Sequence, residues 1–175
     1  DYLWATDRFS AGVMQFEVLT PFFDIPDPAA SGYAEQKFAC CPASLLRLKL
    51  DNSEGRGVKK VFLGFSSHDR FLPVSGCGAD ALKGFVNRDC MGFATHEDVA
   101  LFANFNVREH LTCGHQTPVF LLGPTAGITF EVAAGESREV LVAVGYYMKG
   151  KATFGIETRY WYTRYFAGIE DVLNY

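Results

Sequence analysis

The segment ITFEVAAGESREVLVAVGYYM, residues 128–148, decides the fold. Its first half alternates. Ile128, Phe130 and Val132 fall on one side of an extended chain and Thr129 and Glu131 on the other, the period of two that marks a strand with one wet face. Ala134, Gly135, Glu136 and Ser137 supply a turn. The return differs: Val140, Val142 and Val144 face one way and Leu141 and Ala143 the other, so this strand is apolar on both sides. A strand of that kind belongs inside a layered β structure, and the two halves read as a hairpin.

The same period recurs outward from this segment. In VMQFEVL (13–19), Met14, Phe16 and Val18 oppose Gln15 and Glu17; in SLLRLKLDN (44–52), Leu46, Leu48 and Leu50 oppose Arg47 and Lys49. A polar, glycine-rich turn, DNSEGRG (51–57), leads into VKKVFLGFS (58–66), and the three segments read as antiparallel neighbours. Shorter strands are expected at LKGFV (82–86), MGFAT (91–95), ALFANF (100–105) and VFLLG (119–123), and PFFDIPDPAASGYAEQKFACCP (21–42) reads as a long connection. The end of the chain, RYWYTRYFAGIEDVLNY (159–175), begins as an aromatic strand and turns amphipathic. Phe166, Ile169, Val172 and Leu173 share one helical face, and Glu170, Asp171 and Asn174 the other. The expected architecture is an all-β antiparallel sandwich over residues 1–162 with a short helix over 163–175.

Composition narrows the function classes. A chain of 175 residues suits one domain and buries about 70% of the surface its unfolded form exposes. The net charge of −4, with Lys and Arg scattered among carboxylates, argues against a nucleic-acid partner, which needs a basic stripe. No stretch approaches the ~18 apolar residues of a membrane span, and the N-terminal residues carry no basic-then-apolar leader, so a soluble, cytoplasmic setting is expected. Sixteen Phe and eight Tyr favour strands and would also suit stacking on sugars. The five cysteines are odd in number and lack a C-x-x-C pair, so buried free thiols are expected rather than a disulfide framework or a zinc site.

No G-x-S-x-G, H-E-x-x-H, G-x-G-x-x-G or P-loop pattern occurs, so the chain gives no foothold for hydrolase-elbow, zincin or nucleotide chemistry. No cofactor and no metal are expected, because His68, His96, His110 and His115 have no ligand spacing. Cys113 and His115 are close in sequence, which alone does not activate a thiol; they read as a structural pair in a loop. SHDRF (67–71) is the loop with most functional character. His68, Asp69 and Arg70 could hydrogen-bond sugar hydroxyls while Phe71 stacks on a sugar face; a solvated turn is the competing reading. Glu97 and Asp98 are adjacent carboxylates, whereas glycoside hydrolysis needs two that face each other across the bond, so they read as a turn or cap. The chain is therefore expected to hold no catalytic residue.

Four stretches resemble, in order, parts of the N-terminal β-sandwich of glycoside hydrolase family 52, the bacterial β-xylosidases: ATDRFSAGVMQFEVLTPFFDIPDP (5–28), LLRLKLDNSEGRGVKKVFLGFSS (45–67), EVAAGESREVLVAVGYY (131–147) and RYWYTRYFAGIEDV (159–172). The departure is greatest over 67–118. The resemblance implies a supersandwich-like domain followed by a catalytic (α/α)6 barrel. It also implies retaining hydrolysis of β-1,4-xylosides or xylo-oligosaccharides by a Glu nucleophile and an Asp acid/base, both beyond the matched region. The chain then reads as a fragment, with Tyr165, Phe166, Ile169, Val172 and Leu173 packing between sandwich and barrel. Two rival readings stay open. In one, Tyr160, Trp161, Tyr162 or Phe71 stacks on a glycan in a binding module; in the other, the helical stripe drives homodimer formation.

Overall fold

A computed structural model describes residues 4–22, 24–74, 81–88, 90–112, 123–150 and 153–175. The strands are β1 (Trp4–Ala11), β2 (Met14–Pro21), β3 (Ala43–Asp51), β4 (Lys59–Ser66), β5 (Leu72–Pro73), β6 (Lys83–Asn87), β7 (Met91–Thr95), β8 (Ala100–Asn104), β9 (Thr125–Val132) and β10 (Ser137–Tyr146). Three short helices accompany them: α1 (Tyr33–Ala39), α2 (Val107–Thr112) and α3 (Ile169–Asn174). All strand pairs are antiparallel. They form a seven-stranded sheet ordered β1-β2-β3-β10-β7-β6-β5 and a three-stranded sheet ordered β4-β9-β8. The chain is an all-β sandwich with short helices, and among the described residues no helix is long and apolar enough to cross a membrane.

The core lies where the sheets face each other. Leu46, Leu48 and Leu50 of β3 and Val140 and Val142 of β10 meet Val61 of β4 and Ala126, Ile128, Phe130 and Val132 of β9, with Phe71, Phe85 and Phe93 closing one end. The period-two reading thus selects the inward face of β3 and, at Phe16 and Val18, of β2, while Met14 is exposed and Glu17, read as wet, is buried beside Arg8 and Arg47.

Two pairings differ from the expectation. β4 leaves β3 and pairs with β9 in the other sheet, and β9 and β10 do not pair with each other, so 128–148 is a corner between sheets rather than a hairpin. Asn52 is the physical cause. Its side-chain amide is buried and donates to the carbonyls of Gly57 (2.9 Å), Val132 (3.1 Å) and Ala133 (2.9 Å), while its backbone N–H donates to Glu136 (2.8 Å) and its carbonyl accepts from Gly135 (2.9 Å). One residue satisfies the backbone of both crossings, which a hairpin would otherwise pair.

The two-sided burial also shifts by one strand. β9 is buried on both faces, including Thr129, whose hydroxyl donates to the Val61 carbonyl, whereas Leu141 of β10 is 38% exposed. On the outside of the small sheet, Gly127 and Gly64 are register partners, and a side chain on either would run into the Phe102 ring that lies across them. Bare glycines let one aromatic ring cover that face. Within the long connection, 33–39 forms α1, and at the C-terminal end the expected aromatic strand is a 3-10 turn over Trp161–Arg164. LKGFV, MGFAT and ALFANF correspond to β6, β7 and β8; VFLLG lies, except for Gly123, outside the described residues.

Candidate functional site

The SHDRF loop follows β4 and is tied down at both ends: Ser67 N–H donates to Pro124 O (2.7 Å) and Phe71 N–H to Gly123 O (3.0 Å). Asn87 of β6 donates through its side chain to Ser67 Oγ (2.6 Å) and to Asp69 O (3.3 Å). The Asp69 carboxylate pairs with Arg88 at 3.1 Å, and Arg88 holds φ at 41°, a conformation that side chains seldom adopt. His68 and Arg70 are exposed. Phe71 is not. Its side chain is 0% exposed and meets Phe93 edge-on at 5.7 Å, so it belongs to the core and cannot stack on a sugar. The contact with Phe93 of β7, remote in sequence, is what makes Phe71 an anchor.

Glu97 and Asp98 sit in the turn between β7 and β8. Glu97 N–H donates to Thr95 Oγ1 (3.1 Å), and Asp98 pairs with Lys83 at 2.9 Å, which holds its carboxyl below the usual range. His96 is exposed beside them, the His110 side chain and the Cys113–His115 pair lie outside the described residues, and Cys40 and Cys41 are free and half-buried. Burial raises the Cys40 thiol, and it pushes Cys41 up to about 11, so neither is a ready nucleophile. Cys90 is exposed, against the expectation of buried thiols.

The C-terminal stripe is already covered. Phe166, Ile169, Val172 and Leu173 pack with Val86, Ala94 and Tyr147 on the outer face of the large sheet, each 5% exposed or less. Gly92 and Gly145, register partners on β7 and β10, make the seat: a side chain on Gly92 would lie 2.8 Å from Leu173, and one on Gly145 2.9 Å from Val172. Tyr165 is half-buried against Tyr33 (5.0 Å) and its hydroxyl bonds Gln36 of α1. The stripe therefore packs on its own sandwich.

Of the aromatic tail, Tyr160 and Tyr162 stack at 5.4 Å, and Tyr162 leans on Tyr147. Trp161 remains 44% exposed, with the Arg164 guanidinium 4.3 Å over its ring.

A feature that the sequence reading missed lies beside α3. An apolar groove of about 650 Å3 has Leu45, Leu141, Ala143 and Ala94 on its floor, Leu173 and Tyr175 on one side and Phe38 of α1 at its rim. Its signal was present in the two-sided apolar character of β10. Leu141 and Ala143 face out into this groove, away from the sandwich interior.

A sequence model of glycosyl hydrolase family 52 matches residues 1–175. The chain belongs to glycosyl hydrolase family 52. Two relatives, both described as beta-xylosidase and both from Geobacillus stearothermophilus, are each 28% identical to it. One aligns over 96% of this chain and 24% of its own length, the other over 98% and 28%. The chain thus spans about a quarter of the length of the curated relatives it matches.

Proposed function

We propose that this chain is the non-catalytic sandwich of a longer, retaining β-xylosidase-like glycoside hydrolase, in which it scaffolds the catalytic part and lends loops to the rim of the sugar site. The observation that carries the reading is the family-52 match over 1–175, joined to a span of 24–28% of two beta-xylosidases. The ion pairs of three carboxylates support it. Glu17 is held by Arg8 and Arg47, Asp69 by Arg88 and Asp98 by Lys83. Retaining glycosidases instead place two carboxyl groups about 5–5.5 Å apart across the scissile bond. In this reading the nucleophile and acid/base lie elsewhere in the longer protein, the substrates are β-1,4-xylosides or xylo-oligosaccharides, and His68 and Arg70 meet sugar hydroxyls at the rim. The setting is cytoplasmic, and no cofactor takes part. The test is hydrolysis of an aryl β-xyloside by the longer protein and by residues 1–175 alone. Turnover confined to the longer protein is expected; turnover by the 175 residues overturns the reading.

The exposed Trp161 ring favours one alternative, a glycan-binding module without chemistry. That reading requires saturable heat on titration with xylo-oligosaccharide, lost in Trp161→Ala.

A further inference from the structure

Cross-strand register divides the outer face of the large sheet into three rows. Side chains directly opposite one another share a face, so each row can be read across the strands. The first row, Arg8–Glu17–Arg47–Leu141, is a charge ladder that ends on an apolar residue; Arg47 also pairs with Glu139 at 3.3 Å. The third row, Ala43–Gly145–Gly92–Val86, carries α3 on its glycines. Between them runs Thr6–Leu19–Leu45–Ala143–Ala94–Gly84, apolar beyond Thr6, and its Leu45, Ala143 and Ala94 floor the groove. A charged row marks where solvent begins. The middle row therefore lies on the apolar side of that border; α3 reaches only its Ala94 end, and Leu45 and Ala143 face the groove.

We infer that this groove is the seat of a second amphipathic helix, supplied by the rest of the longer family-52 protein and lying alongside α3. The inference rests on the reading of this chain as one part of such a protein. Three observations favour this occupant. The floor is made of small side chains between Leu45 and Leu141, the relief that admits a helix at the usual interaxial distance of about 8–10 Å from its neighbour. The same face already receives α3 by the same device, small residues under a ridge of Ile169, Val172 and Leu173. Leu173 and Tyr175 line one side of the groove, so its wall is continuous with the α3 contact. The rim fixes the polar side of that helix, with Arg47 and Glu139 along one border and His96 and Glu97 at one end.

The test uses the longer protein carrying Leu141→Cys or Leu45→Cys, with Val58→Cys, on the exposed turn before β4, as reference. Maleimide labelling is mapped by peptide mass spectrometry, which separates the introduced thiol from the native ones. With the groove filled, both groove positions label roughly tenfold or more slowly than Val58→Cys, since only opening exposes them. Labelling at the reference rate overturns the inference. Protection that fades on dilution also overturns it, by making the occupant a second copy. Xyloside hydrolysis by the same samples separates the two ideas: an active protein with open groove positions sinks the helix seat alone, and an inactive protein with protected ones sinks the glycosidase reading alone.

Discussion

The side-chain amide of Asn52 donates to the carbonyl of Ala133 at 2.9 Å, across 81 positions of sequence, and so joins two of the places where the chain passes from one sheet to the other, β3 to β4 and β9 to β10. Asn52→Ala leaves buried carbonyls at Val132 and Ala133 without that donor and is expected to cost about 2–3 kcal/mol. A urea titration of residues 1–175 measures it. Gly55→Ala should hurt through the same residue, because a methyl there would lie 1.8 Å from Asn52 Oδ1. The double variant is expected to fall well short of the sum, since both changes disturb one knot.

Phe71→Ala tests whether the loop after β4 anchors the core. Removing a fully buried ring next to Phe93 should destabilise the fold by about 3–5 kcal/mol. His68→Ala and Arg70→Ala, at exposed positions of the same loop, should leave the thermal midpoint nearly unchanged. In the longer protein these two changes are expected to raise KM for xylo-oligosaccharide with little effect on kcat.

Glu17 predicts the acid limb of stability. The hydrogen bond from Arg8, with the charges of Arg8 and Arg47, holds its carboxyl below the ordinary 4.5. Because the folded value is lowered, its contribution is complete above the unfolded value and is lost as pH falls through the folded one. Melting temperature should therefore be flat above about pH 5 and decline below about pH 4.5. Glu17→Gln should flatten that decline while lowering stability at neutral pH, where two arginines lose their partner.

Ile169→Asp places a carboxylate where the side chain is 2% exposed and should unfold the outer layer rather than dissolve a dimer. Gly92→Ala and Gly145→Ala act on the same contact and are each expected to cost about 1–3 kcal/mol by overpacking. Circular dichroism melts check both, and sedimentation run in parallel should give the same mass for wild type and the glycine variants.

Inward faces were legible because alternation at Phe16–Val18 and Leu46–Leu50 is a local property, set by the pleat. Pairing was not. Whether β4 returns to β3 or crosses to β9 depends on Asn52, whose partners at 132 and 133 carry no mark in the local pattern. The same holds for Phe71, whose ring neighbour Phe93 comes from β7, and for Leu141 and Ala143, which face out into the groove beside α3. The α3 stripe is legible as an apolar helical face, but its seat beside Val86, Ala94 and Tyr147 is a pair of glycines, residues that leave no hydrophobic signal.

The Gly92–Gly145 pair has a further consequence for biosynthesis. Strands β7 and β10 can hydrogen-bond as soon as both have left the ribosome, but on that side they present bare backbone until residues 169–173 emerge. The nascent protein consequently passes through a stage with two complete sheets and an uncovered trench. During that interval a chaperone, or a neighbouring nascent chain, competes for the place that α3 finally takes.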